Sequence, residues 1–151
     1  MDIRIDDLSG SEIKQLLTEH LEDMFAVSPP ECVFALDLDG LKKPNITFWT
    51  VWQDSQLLGC GALKTLDDTH GEIKSMRTTS AARNKGVAST LLRHILDAAK
   101  QKGLNKISLE TGSQDFFAPA RKLYAKHEFR ECDPFSDYKL DPHSVFMTRT
   151  L

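Results

Sequence analysis

A chain of 151 residues, 40% hydrophobic and 27% charged, is sized for one domain around one core and has the makeup of an ordinary globular protein. Its formal charge of -3 excludes the basic excess on which nucleic-acid binding modules rely, and no apolar run approaches the roughly 18 residues that span a bilayer. Cys32, Cys60 and Cys132 form no CxxC pair or disulfide framework and read as buried reduced thiols, while His20, His70, His94, His127 and His143 lack the spacing of a zinc site.

The acidic start, Met1 to Asp7, lacks the apolar stretch of a signal peptide. A cytoplasmic, unprocessed chain that binds neither nucleic acid nor membrane is expected. No repeat, low-complexity tract or linker divides the sequence, so a single domain over 1–151 is expected as well.

Ile3 and Ile5 alternate with polar residues and predict a first strand. Ser9 or Ser11 can cap the helix that follows, since a hydroxyl accepts from the free N–H groups of a first turn. Ile13, Leu16, Leu17, Leu21, Met24 and Phe25 recur at helical spacing until Pro29 and Pro30 end the helix. A shorter helix is expected over Glu31–Leu41, carrying Val33, Leu36 and Leu38. Pro44 opens a strand region in which Ile46, Phe48, Thr50 and Trp52 alternate with Thr47, Trp49, Val51 and Gln53. Asp54-Ser55 signals a turn, Gln56–Leu66 the returning strand, Asp67–Gly71 a second turn and Glu72–Thr78 a third strand, together an antiparallel meander. Alternation along that third strand puts Glu72, Lys74, Met76 and Thr78 on one face and Ile73 on the other.

The period then changes. Val87, Leu91, Leu92, Ile95, Leu96, Ala98 and Ala99 mark an amphipathic helix that closes on Lys100, Lys102 and Gly103. Ile107, Leu109 and Thr111 predict a strand parallel to Glu72–Thr78, as a strand–helix–strand crossover requires. Phe116, Ala120, Leu123, Tyr124 and His127 mark another helix, and Phe129–Cys132 and Ser144–Thr150 the last strands. The expected class is α+β: a mostly antiparallel mixed sheet with a central parallel pair and helices on both faces.

The segment from Met76 to Ala88 carries the chemistry. A strand ends there, a short loop follows and a long helix begins, with Arg83-x-x-Gly86-x-Ala88 at the junction. A helix start leaves backbone N–H groups unpaired and partly positive, so it can hold a phosphate by the main chain alone. Gly86 lets the chain approach the anion, Ala88 keeps the next turn small, and Arg83 and Lys85 add positive charge. Taken alone, so short a pattern reads first as a helix cap beside two solvated basic residues. Neither GxxxxGK nor GxGxxG after a first strand is present, so neither a P-loop nor a Rossmann site fits.

These residues resemble the signature of the GNAT superfamily of N-acetyltransferases, Arg/Gln-x-x-Gly-x-Gly/Ala between strand and helix, with Arg83, Gly86 and Ala88 on its fixed positions. Downstream, Ala120-x-x-Leu123-Tyr124-x-x-x-x-Phe129 is similar to the family's second segment, A-x-x-LYEKxGF. The strand order matches along nearly the whole chain. The resemblance implies the acyl-CoA N-acyltransferase fold. It also implies transfer of an acetyl group from the cosubstrate acetyl-CoA to a primary amine, by direct attack through a tetrahedral intermediate and without a metal. Arg83, Asn84, Lys85, Gly86, Val87, Ala88 and Ser89 would hold the pyrophosphate. Pantetheine would lie like an added strand along Met76, Arg77 and Thr78, where a bulge commonly opens the gap.

By the same resemblance the Thr78 N–H polarises the thioester carbonyl, and Tyr124 protonates the departing thiolate. The plainer reading of Tyr124 is a core tyrosine packed on the sheet. Glu72 is a candidate base, beside Glu110 at the end of the next strand and a water chain with no dedicated base. Two departures stand out. Phe117 takes the place of a cofactor-contacting asparagine, and Glu128 replaces the glycine of the GF pair, which puts a tight left-handed turn in question.

Acceptor choice in such proteins rests on the first two helices and the last strands, here Ser11–Leu41 and Asp133–Phe146. Glu19, Glu22, Asp23, Glu31, Asp37 and Asp39 either draw a cationic amine or form a solvated acidic face. The aromatics and prolines of Asp133–Ser144 suggest a structured loop, with Tyr138 as a lid or substrate residue. A small-molecule amine is the expected acceptor. The alternatives are a protein N-terminus or lysine, a non-catalytic acetyl-CoA sensor, and a partner-binding protein that uses its acidic helices. A homodimer, often formed in this family through a C-terminal strand, is compatible with the sequence.

Overall fold

The computed structural model describes residues 1–33 and 36–151, Cys32 by its backbone alone. Phe34 and Ala35, within the helix expected over Glu31–Leu41, lie outside the described residues, as does the Cys32 thiol. The chain runs β1 (Asp2–Ile5), α1 (Ser11–Val27), α2 (Leu38–Leu41), β2 (Ile46–Gln53), β3 (Gln56–Thr65), β4 (His70–Thr78), α3 (Val87–Gln101), β5 (Lys106–Gly112), α4 (Ala118–Lys126), β6 (Arg130–Cys132) and β7 (Ser144–Thr150). The strands form one seven-stranded sheet in the order β1-β2-β3-β4-β5-β7-β6, antiparallel except for β4 and β5.

Local chemistry accounts for most of these boundaries. Asp54 and Ser55 both adopt positive φ, 50° and 66°, as the tight hairpin between β2 and β3 demands. Gly103, at φ 84°, turns the chain out of α3 at no steric cost. Two expectations change. The position before α1 is Gly10, with no side-chain cap, because Ser9 Oγ donates to Asp7 and Ser11 Oγ to Glu12. The described part of Glu31–Leu41 holds not one helix but a 3-10 turn at Pro30–Cys32 and the single turn of α2. Asp37 starts that turn afresh by accepting from the Gly40 N–H at 2.8 Å.

Two cores result, one on each face of the sheet. On one face Val87, Leu91, Leu92, Ile95, Leu96 and Ala99 of α3 pack on Trp49, Val51, Leu63, Ile73, Ile107 and Leu109, with Tyr124 and Phe129. On the other, Ile13, Leu16 and Leu17 of α1 pack on Phe48, Cys60 and Ala62. Each such buried aliphatic side chain contributes about 1.5–3 kcal/mol. Helices thus cover both faces, as the sequence pattern predicts.

Candidate active site

The parallel pair does not run its full length. β4 and β5 are in register only at His70/Lys106, Gly71/Ile107 and Glu72/Ser108. Beyond Glu72 they part, which leaves the second half of β4 without a neighbour on that side. β4 is also irregular on its other side. Cys60 pairs with Arg77 and Ala62 with Lys74, so β4 holds one residue more than β3 over this stretch. Ser75, at φ 55°, takes up the excess as a bulge.

The bulge corrects the face assignment of β4. An extra residue reverses the alternation beyond it, so Glu72 does not share a face with Met76 and Thr78. Glu72, Lys74 and Arg77 face α1. Met76 packs into the α3 core with Ile73, so closely that a Cβ on Gly61 would collide with the Met76 sulfur. The Thr79 N–H donates to Leu58 O across β3 at 2.9 Å. By strand geometry the preceding N–H, that of Thr78, points to the opposite edge, into the gap.

The loop into α3 supplies the second part of the site. Asn84 and Gly86 both adopt left-handed backbone, φ 62° and 78°. Among the described residues no side chain caps α3, and a Cβ at Gly86 would meet none of them within 4 Å. The first-turn N–H groups are thus left without a capping side chain where Gly86 to Ser89 border the cleft, a candidate anion cradle made of main chain. Its fit to the pyrophosphate of acetyl-CoA, and of the β4 edge to pantetheine, rests on these features.

A cleft of ≈ 740 Å³ joins the gap to this cradle. Of the residues assigned from sequence, it is lined by Glu72, Met76, Arg77, Thr78, Arg83, Asn84, Gly86, Val87, Ala88, Ser89, Glu110, Tyr124 and Tyr138; Lys85 stands outside it. Its far wall is α4, whose Arg121 Nη1 donates to Gly112 O at 2.6 Å and Gln114 O at 3.0 Å, fixing the turn after β5. Gln114 in turn donates to Val27 O at the end of α1 at 3.1 Å. The left-handed turn after α4, put in question by the missing glycine, is present: Glu128 adopts φ 71°. Phe117 is buried, with its ring over Gly112.

The ionisable groups are arranged in distinct environments. Glu72 is 2% exposed. Its Oε2 accepts from the Tyr138 hydroxyl at 2.5 Å and from Lys74 Nζ at 3.2 Å, and Lys74 also donates to the Tyr138 oxygen at 2.9 Å. Burial, and then the Glu72 charge, push the Tyr138 phenol far up. Glu110, on the same face, is raised to about 7, mainly by burial. Tyr124 lies edge-on to Phe129 at 5.7 Å and its phenol is pushed well up by burial, so it stays a proton donor.

Three residues of the cleft were missed by sequence reasoning as side-chain participants. Lys74 closes the Glu72–Tyr138 cluster, and its i+2 spacing from Glu72 on a strand was a usable signal. Arg77 Nη2 bonds Asp23 Oδ2 of α1 at 2.6 Å, and His20, one turn earlier, lines the cleft beside it. Burial first, and the Arg77 charge second, lower His20 to about 4 and keep it neutral. Among the described residues no group of three or more His, Cys, Asp or Glu side chains could hold a metal ion, and no helix is long and apolar enough to cross a membrane.

Comparison with known proteins agrees with this geometry. The model of the Acetyltransferase (GNAT) family matches residues 13–129. The uncharacterised N-acetyltransferase YsnE of Bacillus subtilis (strain 168) is 53% identical over 151 residues, all of both chains. The uncharacterised N-acetyltransferase YedL of Escherichia coli (strain K12) is 50% identical over 149 residues, 99% of this chain and 94% of that one. A GNAT family acetyltransferase from Elizabethkingia anophelis, solved with acetyl-CoA bound, superposes with a TM-score of 0.68 at 18% identity over 99% of this chain and 97% of that one.

Proposed function

This chain belongs to the GNAT acetyltransferase family and is an acetyl-CoA-dependent acyltransferase, and from that premise we propose a single-domain, cytoplasmic enzyme that acetylates the primary amine of a small molecule. The observation that carries the reading is the single cleft that joins a main-chain anion cradle, an open strand edge and two ionisable groups in their useful protonation states.

Acetyl-CoA supplies the reactive thioester. The Thr78 N–H, aimed into the gap, is placed to bear charge on the carbonyl oxygen. Glu110 takes the proton that the acceptor ammonium must lose before its nitrogen can bond to the acetyl carbon. A carboxyl held near 7 is half-ionised where such an amine begins to be available. Glu72 is the weaker candidate, since one of its oxygens is already occupied by Lys74 and Tyr138. As the C–S bond breaks, Tyr124 gives its proton to the thiolate. A cleft with a positioned proton donor favours turnover over passive sensing.

The test is thiol release from acetyl-CoA over a panel of small amines, with the N-acetyl product identified. Tyr124→Phe is expected to lower kcat on the order of a hundredfold while the Kd for coenzyme A changes little. Coenzyme A binding without thiol release from any amine would leave a sensor.

A further inference from the structure

The α1 face of the cleft presents two cations, and they are held differently. Lys74, 9% exposed, is engaged by both Glu72 and Tyr138. Arg77, 11% exposed, holds a single carboxylate through Nη2, while its Nε is buried with no hydrogen-bond partner among the described residues. A guanidinium offers Nε and Nη2 as a parallel pair that matches both oxygens of a carboxylate. Asp23, reaching down from α1, satisfies only one of them. Its own side chain is 40% exposed, on the helix whose His20 and Met24 line the cleft, so it can be released to solvent.

We propose that the acceptor is an amine that also bears a carboxylate, an amino acid with an apolar side chain, whose carboxylate replaces Asp23 on Nε and Nη2 of Arg77. This rests on the acetyl-transfer reading above and names its substrate class. The exchange substitutes one carboxylate for another, so the buried guanidinium is never left uncompensated, and it satisfies the donor that Asp23 leaves idle. Arg77 adjoins Thr78 on β4, so an acceptor anchored there lies beside the gap, on the face that carries Glu110. Met24 and Phe116 line the same cleft and suit an apolar side chain. His20 adds no charge of its own. Glu72 is neutralised by Lys74, and Glu110 is engaged by the reacting ammonium itself, so neither is left to hold a second ammonium group and a polyamine fits poorly.

The experiment compares three acceptors of one skeleton, phenylalanine, phenylalaninamide and phenethylamine, with leucine, leucinamide and isopentylamine as a second series, by thiol release. The carboxylate forms are expected to exceed the other two in kcat/KM by about 10- to 100-fold, the worth of a paired charge-assisted contact. The amide's less basic amine biases the comparison against this result. Arg77→Gln should shrink the preference to about threefold or less, with Arg77→Lys in between because it loses the paired geometry. Asp23→Asn, which removes the resident competitor, should lower KM for the carboxylate acceptor. A merely structural ion pair would instead make Asp23→Asn and Arg77→Gln equally harmful. Equal use of the amides and amines by the native enzyme, or a raised KM in Asp23→Asn, would overturn the inference and leave the transferase standing. Thiol release from no amine of any kind would remove both.

Discussion

Two carboxylates on one face of the sheet have opposite fates, and the difference lies in their partners. Glu72 has a buried cation and a phenol; Glu110 has burial without a comparable partner, and its pKa rises from 4.5 to about 7. A raised carboxyl stabilises the fold fully below its unfolded value and loses that contribution as pH rises through the folded one. Between pH 4.5 and 7, therefore, the unfolded chain ionises while folded Glu110 keeps its proton, stability falls by roughly 3 kcal/mol in all, and the loss persists above 7. Glu110→Gln keeps the shape and removes the charge. It is expected to raise stability at pH 8 by up to about 3 kcal/mol, to flatten the stability slope between 4.5 and 7, and to cut kcat, which in the native enzyme should climb with pH through about 7. Chemical denaturation and a pH–rate profile measure both; a variant neither stabler nor slower would remove Glu110 as the base. Both glutamates were candidates from the sequence, because the family resemblance puts the site beside the two strands that carry them. It could not rank them, since Lys74 and Tyr138 meet Glu72 only through the fold.

The elements divide along similar lines. The loop before α3 was readable because its requirements are local: Gly86 stands where a left-handed backbone and a bare helix start coincide. The bulge in β4 was implied only by the family resemblance and could not be placed from the residues, because Ser75 adopts φ 55° without the glycine or asparagine that would have announced it. One residue of excess there reversed the expected partners of Glu72, and the same holds in small for Glu128, a glutamate in a glycine's conformation. Gly86 offers a controlled test of the cradle. Gly86→Ala and Gly86→Glu accept the same backbone strain, about 1 kcal/mol, and neither meets a steric obstacle at Cβ. Only the second brings a negative charge to the helix start. Calorimetry should find coenzyme A affinity reduced severalfold at most in the alanine variant and by at least a hundredfold in the glutamate variant. Equal losses would mean that shape, not the field of the helix start, governs binding.

At the scale of the whole molecule, the open edge of β4 is held open by the rest of the fold. β4 and β5 part after Glu72, yet α3 packs against one face of the sheet and α1 against the other, so neither strand can close the gap without disturbing a core. That order of elements was legible, because the period of the apolar residues changes from two to 3.6 and back where strands give way to helices; the depth of the splay was not, since it depends on where pairing stops. An edge that lacks its neighbour is a place where a ligand adds stability. At a coenzyme A concentration 100-fold above Kd, linkage supplies about 2.7 kcal/mol, which in a domain of this size should lift Tm by about 5–10 °C. Because the two cores share one sheet, unfolding should remain a single transition with and without ligand. The Gly86→Glu variant, with its affinity at least a hundredfold lower, should show a lift of at most about 1–2 °C. Scanning calorimetry decides each point: two transitions would divide the chain into separate units, and an unmoved Tm in the native protein would mean that the cleft between β4 and β5 does not receive coenzyme A.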